Sequence, residues 1–203
     1  IYVANKNMFT WCTPMISTNG PSVQIHHNGN SHWVTSIQDS DGKVYLLDSL
    51  NKKDINSSLQ IQLIQIYKPD RVNHFDVIIP AVQKQNNGYD CGLFSIAFMT
   101  EFCFNGRSRV VFEEKEMRSH LVSCLTEKKI LPFPKQTKKK LKLSKVATST
   151  FQVSCFCPCG QADVVQDMVG CEFVSKKHEC QTWYHKKCSK LEKVSKKMYC
   201  PDH

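Results

Sequence analysis

No apolar run in this 203-residue chain reaches the roughly 18 residues a membrane helix needs, and no charged-then-apolar signal segment opens it. A membrane partner is therefore not expected, and an intracellular, reducing setting is. Internal repeats are missing, and residues 135–150 contain no acidic side chain. Cysteine is sparse over residues 1–134, with four (Cys12, Cys91, Cys103, Cys124) against seven in the last 53 residues. In a reducing setting such a cluster, interspersed with His, reads as metal-binding and not as a disulfide framework. A broad basic face is also lacking. Residues 1–134 carry 13 basic and 12 acidic residues, 135–150 carry 6 and none, and 151–203 carry 8 and 6. The excess sits in one short segment, so direct nucleic-acid binding is not required. The chain begins at Ile1 and not at Met, which suggests a fragment with upstream sequence missing.

What is present, 41% hydrophobic residues, suffices for one core and a second small unit. We expect a domain over 1–133, a basic linker over 134–150 and a cysteine-rich unit over 151–203. The run "KQTKKKLKLSK" (135–145) reads either as a solvated tether or as a nuclear import signal.

WVTSIQ (33–38) and KVYLLD (43–48), separated by Asp-Ser-Asp-Gly, form a β-hairpin pattern. Loop length decides its chemistry. A three-residue loop with Gly42 left-handed pairs Asp39 with Lys43 and puts His32, Val34 and Asp48 on one face. A two-residue loop puts His32 and Asp48 on opposite faces. Residues 54–68 read as a helix followed by a strand-like stretch, and 75–82 as a short buried strand that Pro80 makes an edge or a strand end. A buried helix is predicted from Asp90, its N-cap, to Asn105-Gly106, and an amphipathic one over 112–129.

Cys91 lies at the predicted start of that buried helix. A thiol attacks as its thiolate, which the positive end of a helix dipole stabilises. Acyl transfer also needs donors aimed at a developing oxyanion, and Gln85, six residues upstream, offers uncharged N–H groups. His32 can act as base and Asp48 as its orienter if the hairpin brings them beside the helix start. Taken singly, His32-Trp33 could be core packing and Asp48 a turn residue. Together the four fill every role of a thiol hydrolase.

"HW" at 32–33, Asp48 at the end of the next strand, and "Q…DCG" at 85–92 resemble, in order, the SUMO and ubiquitin-like-protein-specific cysteine proteases and their adenoviral relative. The resemblance covers about residues 20–133. It implies an α+β fold with papain-like (adenain-type) architecture in permuted chain order. It further implies His32 as general base, Asp48 as orienter, Gln85 as oxyanion donor, Cys91 as nucleophile, and Trp33 lining a tunnel for a Gly-Gly tail. The substrate would be a ubiquitin-like protein or its conjugates, and the protease domain would need no cofactor.

Residues 155–203 hold Cys157, Cys159, Cys171, Cys180, His185, Cys188, Cys200 and His203, enough for two tetrahedral zinc ions. Fifty residues build little core, so metal would supply the folding free energy. "WYHKKC" (183–188) and "YCPDH" (199–203) resemble a PHD finger, with RING-type cross-braced fingers as the rival. The resemblance implies Cys157, Cys159, His185 and Cys188 at one zinc and Cys171, Cys180, Cys200 and His203 at the other. His178 is a competing ligand and Cys155 a spare thiol. It also implies a methyl-lysine cage from Phe156 and Trp183, a histone H3 tail as partner with Glu172 meeting a basic residue, and a nuclear location. The pairing of protease and finger is similar to proteins of transposable elements or viruses, which makes a processing protease of such an element the alternative enzyme reading. A catalytically inactive chromatin-reading scaffold is the rival from another class.

Overall fold

The computed structural model describes residues 20–67, 74–105, 110–136, 148–154, 157, 159, 168–170 and 183–188. The chain divides into two compact units, one of residues 1–14, 18–55 and 76–151, the other of 15–17, 56–75 and 152–203.

Most of a five-stranded mixed sheet belongs to the first unit. Its strands are β1 (Ser22–His27), β2 (Trp33–Gln38), β3 (Val44–Leu47), β4 (His74–Ile79) and β5 (Ser149–Ser154), in the spatial order β1-β2-β3-β4-β5. β1, β2 and β3 pair antiparallel, and β3 pairs parallel with β4. β1 and β5, the two outer strands, were absent from the sequence-based expectation. Pro80 ends β4, as a residue without an N–H must.

The β2–β3 turn takes the three-residue form. Gln38 pairs with Val44, Asp39 N donates to Lys43 O at 3.0 Å, and Gly42 is left-handed at φ +77°. The Asp39 carboxylate caps the loop by accepting from the N–H groups of Asp41 and Lys43, both at 2.9 Å. Continued in that register, Val34 falls opposite Asp48.

Helix α2 (Cys91–Asn105) lies against β1 and β2, with Thr35 Oγ1 donating to Ser95 O at 2.9 Å. Its Leu93, Phe94, Ala97 and Phe98 join Ile37, Leu47, Val82, Phe112, Met117 and Phe133 in one core. Four phenylalanines stack there edge-on or tilted at centroid separations from 5.8 to 6.5 Å. Helix α3 spans Glu114–Thr126, shorter at both ends than 112–129. At the start, Phe112 is drawn into an isolated bridge with Lys135, and its N–H goes to Gln83 Oε1 at 2.6 Å. At the end, Lys128 turns left-handed (φ 53°). Lys129 N reaches back to Cys124 O at 2.9 Å and Lys128 N to Leu125 O at 3.2 Å, which stops the helix before the prolines.

In the second unit, helix α1 covers Ser57–Tyr67, with Asn56 Oδ1 accepting from Leu59 N at 3.0 Å as an N-cap. The strand-like stretch expected at its C-terminal end is helical as far as Tyr67. Ile64, Ile66 and Tyr67 are buried side chains of that helix. Strands β6 (Met168–Gly170) and β7 (Trp183–His185) pair antiparallel.

Candidate active site and metal cluster

His32 ends the β1–β2 turn, held there by Asn28 N donating to His32 O at 2.9 Å and by left-handed Gly29 and Ser31. Asp48 follows β3. The observed register brings the two side chains together, with His32 Nε2 donating to Asp48 Oδ1 at 2.7 Å, and both residues are about 95% buried. Leu50 N donates to the same oxygen at 2.7 Å, so the carboxylate is fixed from two sides. Asp48 O accepts from Asn51 N at 2.8 Å across a turn whose Asn51 is left-handed. Because Nε2 is bonded to the carboxylate, Nδ1 is the ring nitrogen left to face a thiol.

Cys91 is the first residue of α2 and is 5% exposed. Its helix is anchored to the strand that follows His32. A Cβ at Gly92 would lie 3.6 Å from Trp33 Cδ1, so the indole of the residue after His32 rests on the residue after Cys91. His27 covers another part of that indole, with ring centroids 4.8 Å apart. Asp90 occupies the N-cap position, its carbonyl accepting from Phe94 N at 2.9 Å. Its carboxylate is held by the Arg118 guanidinium of α3 and by Asn87 Nδ2 at 2.6 Å.

Gln85 is buried, with its backbone N–H donating to Ser49 O at 2.9 Å. Its Oε1 accepts from Ser49 Oγ at 2.5 Å, and its Nε2 donates to Asn87 O at 2.6 Å. Upstream, Gln83 imitates a strand neighbour by accepting from Phe112 N and donating to Phe112 O at 3.2 Å. Glu114 of α3 accepts from Gln83 Nε2 at 2.9 Å and Asn86 Nδ2 at 2.8 Å. The loop between Gln83 and Cys91 is thus braced along its length by polar side chains. Reading the sequence missed Ser49, Asn87 and Arg118. Only the position of Ser49 directly after Asp48 could have pointed to any of them.

Among the described residues, Cys157, Cys159, His185 and Cys188 form a cluster whose ligand atoms lie within 4.8 Å of one another. Cys159 Sγ is 3.3 Å and Cys188 Sγ 4.0 Å from His185 Nδ1, and Cys188 N bonds His185 O at 2.8 Å in the turn after β7. Burial pushes the Cys157 thiol up, but hydrogen bonds from Cys159 and His185 outweigh it and bring it down to about 7. Burial and the adjacent Cys159 and Cys157 sulfurs push Cys188 up to about 11. A divalent cation deprotonates coordinating thiols outright. Three sulfurs and one imidazole nitrogen at this spacing fit a zinc-type tetrahedral site. Trp183 lies against Gly170 across the hairpin and is 47% exposed. Cys171, Cys180, Cys200, His203 and Phe156, like Cys155, Glu172 and His178, lie outside the described residues.

The family model for the Ulp1 protease family, C-terminal catalytic domain, matches residues 22–151. No curated protein and no solved structure matches the chain.

Proposed function

The chain belongs to the Ulp1 protease family, and from that premise we propose that His32, Asp48, Gln85 and Cys91 cleave after the Gly-Gly end of a ubiquitin-like modifier. Family membership brings cysteine-type peptidase activity toward ubiquitin-like proteins such as SUMO and their conjugates. The assignment of residues rests above all on the buried 2.7 Å bond between His32 and Asp48. It is supported by the Trp33 indole, which ties that hairpin to Gly92 beside Cys91.

In this reading the Cys91 proton passes to His32, and the thiolate attacks the terminal glycine carbonyl carbon. Gln85 Nε2–H donates to the oxygen as it gains charge. The intermediate collapses with rupture of the C–N bond, and His32 returns the proton to the departing lysine amine. A water deprotonated by His32 then attacks the thioester carbon and expels Cys91. Asp48 orients the imidazole throughout, and Trp33 forms a wall of the narrow channel for the Gly-Gly tail, in a papain-like arrangement.

Residues 151–203 act in the same proposal as a PHD-type finger with two zinc ions. The first would be held by Cys157, Cys159, His185 and Cys188, and the second by Cys171, Cys180, Cys200 and His203. Zinc there supplies thiolate stabilisation and folding free energy, and no part of the cleavage runs through it. Trp183 and Phe156 would wall a site for a methylated lysine of histone H3, taking the protease to chromatin in the nucleus. The deciding experiment is reaction of the chain with C-terminally electrophilic probes of SUMO and other ubiquitin-like proteins. Labelling that disappears in Cys91→Ala is expected. Labelling retained in that variant, or no reaction of the wild type with any probe, overturns the proposal.

A further inference from the structure

Ser49 takes no part in the bond changes above, yet it joins two of the groups that do. It follows Asp48 in the chain and is 2% exposed. Its carbonyl accepts from Gln85 N at 2.9 Å, and its hydroxyl donates to Gln85 Oε1 at 2.5 Å. Two residues on, the Asn51 side chain repeats the link, accepting from Val82 N at 3.0 Å and donating to Val82 O at 3.1 Å. The turn that carries Asp48 is therefore fastened at two points to the segment that carries Gln85.

A carboxamide helps an oxyanion only through its NH2 end. Turned by 180°, it presents a lone pair and repels the developing charge. Asn87 O can only accept, so it demands Nε2 on its side, 2.6 Å away. The Ser49 hydroxyl occupies the opposite end of the amide. One Nε2–H is used by Asn87, and the second is the hydrogen available to substrate.

We propose that Ser49 is a positioning residue that locks the Gln85 amide with its carbonyl end withdrawn and its N–H end presented, coupling the placement of the donor to that of Asp48. The inference rests on Gln85 acting as oxyanion donor.

A kinetic cycle tests it, with C-terminal coumarin amides of SUMO and ubiquitin as substrates and the wild type, Ser49→Ala, Gln85→Ala and the double variant as enzymes. Ser49→Ala should lower kcat about 10-fold, as expected when a buried acceptor loses its donor, with KM changed less than about twofold. In the Gln85→Ala background the same change should alter kcat less than about twofold, because the amide it positions is gone. Equal losses in both backgrounds would mean a structural role and overturn the inference, as would no loss in the wild-type background. Should Ser49→Ala unfold, Ser49→Cys, a similar shape with a weaker donor, should show a smaller loss that again vanishes with Gln85→Ala. A wild type that turns over neither amide overturns the proposed function itself, and with it this inference. An active wild type with Gln85→Ala unimpaired removes only the oxyanion role and what depends on it.

Discussion

Cys91 and Cys157 are both buried, at 5% and 0% exposure, yet their surroundings differ in kind. Cys91 opens a 15-residue helix backed by a core of phenylalanine, leucine and methionine, and a braced polar loop leads into it. Its unit gains its folding free energy from apolar burial, at roughly 25 cal/mol per Å² removed from water. The thiol is then free for chemistry. Cys157 sits with Cys159, His185 and Cys188 beside strands of three residues each. There the sulfur atoms are themselves what would hold the segment together, through a metal. Burial alone does not separate a nucleophile from a ligand. The number of other donors within reach does.

Measurements on either side would break or sharpen that contrast. Chelation should have the largest effect, withdrawing on the order of 10 kcal/mol from the metal-bound segment. NMR should show dispersed signals lost for residues 151–203 and kept for the core around Phe98, and elemental analysis of the untreated chain should give two zinc ions. Cys91→Ala should lower turnover by roughly 10^5- to 10^6-fold, as for loss of a nucleophile, without altering zinc content. Cys103→Ala and Cys124→Ala should leave thiol labelling largely intact. Phe98→Ala should lower the stability of the first unit by about 3–5 kcal/mol in urea titration, because Phe98 is fully buried against Phe94 and Phe112. Gln85→Ala should reduce kcat by about 100- to 1,000-fold in steady-state assays while probe binding survives. Gly42→Ala should be the mildest, about 1–2 kcal/mol in a thermal melt, since φ +77° strains any residue with a Cβ.

The hairpin was legible from its turn residues, but its register was not. A left-handed Gly42 suits a two-residue or a three-residue loop, and the observed pairing of Gln38 with Val44 selects the three-residue form that puts His32 and Asp48 on one face. Helix α2 was legible from its unbroken apolar character. The outer strands were not, because Ser22–His27 and Ser149–Ser154 are rich in polar residues and mostly only half-buried. An edge strand takes its definition from a neighbour and not from its own pattern. The end of α1 was misread for a related reason, since β-branched residues in a helix that buries them resemble a strand. At the candidate site, single residues with distinctive chemistry could be picked out. Ser49, Asn87 and Arg118 could not, because ordinary polar residues gain such roles only from long-range contacts.

The Glu101 carboxylate of α2 is buried, 1% exposed, and both its oxygens are held by Lys135 Nζ, at 3.1 and 3.0 Å. Lys135 is also the first lysine of the basic run, so one cation of that run already has an owner. An import receptor that gripped it would first have to strip it from the helix. Acetylation would distinguish the two kinds of lysine. At Lys135 it would erase the charge and strand a carboxylate inside the protein, with a destabilisation of about 3–5 kcal/mol.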